Sequence, residues 1–421
     1  MKYFMYLILV FWMLAVGCEH PIIPPDPTDL VDTTSIMNDT IFELIWERQI
    51  DTIEGTMSQS EKQIWKNQFL TTGPIENEAT IYSFDTKTGN KLWKYQYEGG
   101  LKYKIVYNKL INDIYIGITN DGVFGFDLNE RKMKWEINLH DINTEFGWGM
   151  TVRGDYIYMP VTWSFGDVNV AVERMLKIHY LTGEMDVVYQ DGSVDSLMNA
   201  FSAPVFWTDP ETGHDIMYFN NQNWNYSLSP QEIFQDMIAV DVETKEIVWC
   251  NLSFSPVASN GSIPPAVYND NIITGGDWSI YSFNAKTGEL NWKTEFEKYK
   301  PWSIWGKTMH LIKDNKLYVN NDVFDLYCLN ADTGSVIWEN NNDAPNCTPT
   351  MTYYQDMLVF TSWGYGSIMV LDALTGEKIH REYSHNGSTF NTDVIYDPKT
   401  DMFFTKDFTH AYGFKIHKPE E

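Results

Sequence analysis

The stretch IYSFDTKTGNKLW, residues 81–93, returns as IYSFNAKTGELNW at 280–292 and as LYCLNADTGSVIW at 326–338. Each phrase is an apolar run closed by Asp or Asn, a Thr-Gly pair, and a Trp eight positions after the Asp or Asn. Trp93, Trp135, Trp249, Trp292 and Trp338 keep that spacing from Asp85, Asp127, Asp241, Asn284 and Asn330. Two further copies have lost the Trp: MLKIHYLTGEMDVV (175–188) has Val187 in its place, and IMVLDALTGEKIH (368–380) has His380. Seven copies at a period of roughly 40–60 residues mark a repeat architecture.

Each copy reads as strand, tight turn, strand. A short polar side chain bonds the turn amides, and Gly supplies a positive φ without a Cβ clash. Two more short strands precede each copy, as in TMHLIK-DNK-LYVN (308–320). Four strands per unit with no helical pattern predict a propeller blade. After the seventh copy, residues 391–417 supply three strands and stop, while IFELIWERQ (41–49) is a lone strand carrying Trp46. Joining these two ends predicts an all-β, eight-bladed propeller closed by its N-terminal strand, a closure that leaves no open sheet edge at the seam.

The pattern small-x-Asp-x-x-Thr-Gly-x-x-x-Trp resembles the tryptophan-docking repeat of the pyrroloquinoline quinone (PQQ) quinoprotein propellers. The resemblance covers residues 41–417 and implies that each Trp packs on a small residue of its own repeat and on the Gly peptide of a neighbour. The docking residues are then Trp46, Trp93, Trp135, Trp249, Trp292 and Trp338, and the small positions Ser83, Gly125, Ala239, Ser282, Cys328, Val370 and Gly413. Lys177 departs from the small class in the copy that has also lost its Trp.

The first residues, MKYFMYLILVFWMLAVGCEH, carry one Lys, an apolar run and then LAVGC. They read as a signal segment (1–17) resembling a bacterial lipobox, which implies lipid on Cys18. Residues 18–38, rich in Pro, Asp and Thr, read as a tether, and 39–421 as the propeller. The expected location is the bacterial cell envelope, at the outer membrane, on the periplasmic or the surface side. A net charge of −27 weighs against nucleic-acid backbones and anionic lipid surfaces, so membrane contact is expected through the anchor alone.

Quinoprotein dehydrogenases also carry an adjacent Cys-Cys pair against the cofactor and a calcium ligand set. Cys18, Cys250, Cys328 and Cys347 include no adjacent pair. The nine His residues form no HExxH, and no GxSxG or phosphate-binding loop occurs. NNNDAPN (340–346) lacks the alternating carboxylates of a calcium loop and reads as turn chemistry. The expectation is therefore no enzyme activity, no PQQ, no calcium or other metal, and a monomeric propeller that binds macromolecules. A lipid-anchored chain of such repeats resembles the BamB family of outer-membrane assembly lipoproteins, implying a scaffold for protein partners. A cell-surface lipoprotein that binds glycan or protein is the alternative, and a PQQ-dependent dehydrogenase a third reading.

The longest insertions, 162–174 and 220–236, join second to third strands, on the face opposite the Thr-Gly turns. With 143–149 and 299–306 they place Phe146, Trp148, Trp163, Phe165, Trp224, Trp302 and Trp305 in loops around one rim. Rigid aromatic planes suit sugar rings or protein hot spots. Within the second insertion, Ser229-Pro230-Gln231-Glu232 reads as a single helical turn.

Overall fold

The computed structural model describes residues 40–50, 63–75, 78–96, 105, 107–119, 122–139, 144–146, 149–164, 171–191, 197–225, 232–255, 264–276, 279–296, 311–320, 325–341, 343, 350–362, 366–384, 388–390 and 392–419. Within them the chain is all-β, in eight separate antiparallel sheets. These are the eight blades of a β-propeller. Blade 1 runs Gln63–Trp65, Gln68–Ile75, Glu78–Asp85, Lys91–Gln96. Blades 2 to 7 follow over 107–138, 144–190, 197–255, 266–295, 311–340 and 352–383. Blade 8 combines Ile395–Asp397, Met402–Lys406 and His410–Ile416 with the N-terminal Phe42–Gln49. That strand pairs with His410–Ile416 from Phe42↔Ile416 to Gln49↔His410, closing the ring as the repeat count requires. Calling the strands A to D from the inside outward, B and C are almost wholly buried in blade 2 while D alternates exposed and half-buried positions. The core is therefore a series of interblade layers rather than one central mass.

The repeat phrase now has a physical account. Its Asp or Asn accepts two turn amides through Oδ1: Asp85 from Lys87 (3.1 Å) and Thr88 (2.8 Å), Asn330 from Asp332 (2.9 Å) and Thr333 (3.0 Å). In blade 3, where His179 takes this place, ring Nδ1 lies 3.3 Å from the Leu181 amide. Each Trp stands directly across from the small residue of its own C strand, as in Gly125↔Trp135, Cys328↔Trp338 and Gly413↔Trp46. A β-bulge lies beside each of these pairs, adding local twist that turns the indole toward the next blade. There it covers the turn Gly. A Cβ on Gly89 would lie 2.5 Å from the Trp46 ring, and one on Gly376 2.5 Å from Trp338. The indole N–H donates to the carbonyl of the first residue within that turn: Trp46 to Thr86 (2.8 Å), Trp135 to Tyr180 (2.8 Å), Trp249 to Ala285 (2.8 Å), Trp338 to Ala373 (3.1 Å). The residue two after the Trp adds a second bond, from Asn251 to the Gly288 carbonyl and from Asn340 to that of Gly376, both 2.7 Å.

The two missing Trp residues are explained by what they face. Blade 3's Val187 looks onto a blade 4 turn with Lys245 in place of Gly, and Lys245 Nζ bonds Asp186 (2.7 Å) and the Val187 carbonyl (3.0 Å). Blade 7's His380 faces blade 8, whose C and D strands come from opposite chain ends and have no turn between them. His380 stacks instead on Phe42 at 6.0 Å. Trp93 keeps the Trp but meets Arg131 where Gly is usual, and its N–H goes to Gln68 of its own blade.

An inner set of contacts joins A strands to the next blade's A–B turn. Trp65 donates to Asp113 (2.7 Å), Trp207 to Asp270 (3.0 Å) and Tyr354 to Asp401 (3.0 Å). Lys406, buried in blade 8, donates to the Thr72 carbonyl of blade 1 (2.8 Å), a further tie across the closure.

Gly213 (φ +76°) serves as a control for the docking role, since nothing lies within 4 Å of its hypothetical Cβ, whereas Gly376 (φ +78°) is covered by Trp338. In denaturant titrations Gly213→Ala is expected to cost about 1 kcal/mol, for the backbone alone. Gly376→Ala should cost about 2–4 kcal/mol, because the indole must also move. Equal losses would remove the docking account. Trp46→Ala, which empties the closure latch, should cost about 3–5 kcal/mol.

Candidate interaction face

The A–B and C–D turns occupy one face of the ring and are committed to the contacts just described. The other face is formed by the B–C connections and the interblade segments. On it, blades 3 and 4 stand out. Their B strands, Tyr156–Ser164 and Asp215–Asn225, have 9 and 11 residues, against 5 in blades 2, 5 and 6. The C strands, Ala171–His179 and Glu232–Asp241, are lengthened to match. Such long hairpins need extra partners, and each A strand supplies them in two pieces. Thr144–Phe146 and Thr151–Arg153 both pair with the blade 3 B strand, and Leu197–Phe201 and Val205–Thr208 with that of blade 4. The breaks fall at Gly149 (φ +94°) and around Pro204, and a Cβ on Gly149 would touch Ala203 at 3.4 Å.

The described residues of the insertions read as loops, 162–164, 171–174, 220–225 and 232–236, are thus strand. Phe146 pairs with Val161, Trp163 with Thr144 and Val172, and Trp224 with Met198 and Ile233. In-register pairing on both sides holds Trp163 and Trp224 on the extended hairpins of adjacent blades, and pairing on one side sets Phe146 against the first of them. Glu232 opens a strand opposite Asn225 and belongs to no helical turn. Trp148, Phe165, Trp302 and Trp305 lie outside the described residues, as do Cys18, Cys347 and the 18–38 tether.

Behind the blade 4 hairpin lies a polar layer that the sequence reading missed. Asn220, Asn221, Gln222 and Asn223 are all buried in one strand. Asn220 donates to Thr274 of blade 5 (2.9 Å), Asn221 to Asn223 (3.2 Å), and Asn223 to Asp236 (2.7 Å). Asp236 also accepts the Ser253 amide (2.6 Å), and Gln235 donates to the Gly275 carbonyl (3.0 Å). The only cue was the run NNQN inside a segment rich enough in β-formers to be a strand. Asp236 is 5% exposed and carries no cation among its hydrogen-bond partners. Burial pushes its pKa up from the ordinary 3.8 despite the opposing bonds from Ser253 and Asn223, and the Asp191 charge adds to the rise.

The seam between blades 3 and 4, which lacks the Trp latch, is closed by charge and aromatic contact. Arg153 reaches across it to Asp215 (Nε to Oδ2, 2.8 Å) and Thr208, holding the Asp215 carboxyl below its usual range. Tyr158 packs on Phe206 at 4.7 Å and Tyr189 on Phe201 at 5.7 Å.

The cysteines sit apart. Cys328 fills the small slot opposite Trp338, and Cys250 lies on the blade 4 D strand. Burial pushes both thiols up to about 11, away from nucleophilic character. In the Asn-rich turn after blade 6, Asp343 meets Arg381 at 2.6 Å and Asn340 is spent on the Gly376 carbonyl.

The family model described as outer membrane protein assembly factor BamB matches residues 276–400, from within blade 5 into blade 8. The chain is a PQQ-like propeller similar to BamB. The crystal structure of BamB from Moraxella catarrhalis superposes with a TM-score of 0.57 at 11% identity, covering 90% of this chain and 99% of that one. A europium-containing methanol dehydrogenase gives 0.65 at 12% identity, over 92% and 95% of the two chains. At these identities the likeness is one of fold. An uncharacterized protein of Rickettsia prowazekii (strain Madrid E) is 30% identical over 130 residues, 28% of this chain and 31% of that protein. The chain thus spans under a third of that relative's length.

Asp236 gives a pH prediction. A carboxyl whose folded pKa is raised contributes stability below its unfolded value, and that contribution is lost as pH rises through the folded value. Asp236→Asn should therefore flatten the decline in stability as pH climbs from 3.8 toward neutrality. Urea midpoints across that range check it, and a parallel decline in wild type and variant counts against the assignment.

Proposed function

We propose that this chain is a non-catalytic, lipid-anchored scaffold of the bacterial outer membrane that engages protein partners through the B–C hairpins of blades 3 and 4. The observation that carries the reading is that, among the described residues, the B and C strands of those two hairpins are the longest, at 9–11 residues against 8 in blade 1, on the face that the interblade latches leave unused. Extra strand length adds nothing to ring closure, and it presents a rigid, backbone-paired platform of the kind partner recognition requires. Similarity to BamB over blades 5 to 8 supports an envelope scaffold, and the lipobox-like LAVGC supports anchoring at Cys18. No cofactor enters this reading, because the two described cysteines lie on separate blades and neither forms the adjacent pair that resemblance to the dehydrogenases demands.

A photo-crosslinking residue at position 163 or 224, in native envelopes, is expected to capture an outer-membrane barrel-assembly protein. The same residue at position 87 or 332, on the turn face, should not. Capture of glycan-utilisation proteins from the hairpin face moves the assignment to the surface binder, and capture from the turn face alone overturns it. Purified protein supplied with PQQ and Ca²⁺ is expected to reduce no dye with alcohol substrates; turnover there replaces the scaffold reading with the dehydrogenase one.

A further inference from the structure

We propose that His214, Asp241 and Glu243 form a binding site for a divalent transition-metal ion of the Zn²⁺ type on the turn face of blade 4. One potential ligand atom from each residue lies within 4.8 Å of the other two. Asp241 is the turn carboxylate of its blade, with Oδ1 holding the amides of Glu243 and Thr244, both at 2.9 Å. Its second oxygen is turned to His214, whose Nδ1 lies 2.8 Å away. Glu243, two residues along the same turn, is exposed and presents its carboxylate beside them.

The other blades serve as internal controls. Residues matching Glu243 in the repeat are Lys87, Asn129, Leu181, Lys286, Asp332 and Leu374. The A–B turn residues matching His214, two before the partner of the turn Asp or Asn, are Lys66, Asn112, Asn269, Asp314 and Gln355. Among the described turns, only blade 4 sets an imidazole against the turn carboxylate with a second carboxylate in reach. Blade 4 achieves this through an A–B connection with turn chemistry of its own: in Asp209-Pro-Glu-Thr-Gly213, Asp209 accepts the Glu211 amide at 2.9 Å and the Gly213 amide bonds the Asp209 carbonyl at 2.8 Å. That turn delivers His214 to the start of the B strand. The nearest repeat-position cation, Lys245, is drawn across the seam to Asp186 and leaves the carboxylates to other partners.

The donor set selects the metal. One imidazole and two carboxylates, completed by water, suit a borderline ion such as Zn²⁺, whereas Ca²⁺ prefers six to eight oxygens. Ligand bonds of about 2.0–2.2 Å bring neighbouring donors to about 3–3.5 Å. His214 and Asp241 already stand that close, and rotation of the exposed Glu243 closes the rest. The ion takes the position of any proton held between His214 and Asp241, and that proton leaves to solvent. Bound metal then clips the A–B connection to the C–D turn beside the blade 3/4 seam, where Val187 and Lys245 replace the Trp and Gly of the repeat.

The test is calorimetric titration of ZnCl₂ into the chain, prepared with a chelator and without a polyhistidine tag, with thermal unfolding alongside. One equivalent should bind and raise Tm. His214→Ala should weaken binding by at least about tenfold, since losing a ligand costs no less than losing an outer-sphere partner. Glu243→Gln, at an exposed position that leaves the fold untouched, should weaken it too, while His417→Ala, elsewhere on the surface, should not. Absence of Zn²⁺ binding at millimolar concentration overturns the proposal, as does binding unchanged by both site variants, or Ca²⁺ bound in preference to Zn²⁺.

Discussion

The regular seams of the ring depend on one contact: an indole from one blade lying on the turn Gly of the next, with its N–H on the carbonyl of that turn's first residue. It requires a small residue across the strand, a bulge to aim the ring, and a turn that tolerates positive φ. All three conditions are visible at Trp46, Trp135, Trp249 and Trp338. The contact also explains its own exceptions. Val187 and Lys245 are absent partners of each other, and His380 stands where blade 8 has no turn to cover. A change on one side of a seam removes the reason for the residue on the other.

This contact divides the molecule's two faces by task. Turns on one face carry the indole latches, the Asn bonds that follow them, and the inner ties from Trp65, Trp207 and Tyr354. Little on that face is spare. The opposite face carries hairpins whose length can change without disturbing any latch, and blades 3 and 4 have used that freedom. Their seam is the one that relies on Arg153, Lys245 and aromatic contact in place of the repeat's own device.

How much of this the sequence disclosed follows from distance along the chain. The phrase IYSFDTKTGNKLW keeps strand, turn and Trp within thirteen residues, so period, blade count and docking residues could be read directly. Ring closure was legible because the two ends each lacked what the other had. The inner ties were not: Trp65 and Asp113 are 48 residues apart and Trp207 and Asp270 63, with no fixed spacing to count. The insertions at 162–174 and 220–236 looked like loops because they broke the blade length, yet in-register pairing makes strand of their described residues, 162–164, 171–174, 220–225 and 232–236. The buried amides at 220–223 gave no periodic signal, since a B strand covered on both sides loses the alternation that marks a half-exposed one. His214 and Asp241 meet only because a turn outside the main repeat brings them together, 27 residues apart.

Pairing Phe42–Gln49 with His410–Ile416 has a consequence in time as well as in space. A chain made from its N-terminus exposes the closing strand first and receives its partner last. Until residues near 416 emerge, the N-terminal strand and its successive blades form an arc with an unsatisfied edge at either end. Loop closure over such a length adds little to the final free energy, because the entropic cost grows only as the logarithm of loop length. It does delay folding, and the open arc is the species most exposed to pairing with other chains. The seam that seals the native ring is therefore also the point at which biosynthesis of this protein is most dependent on being kept from premature association.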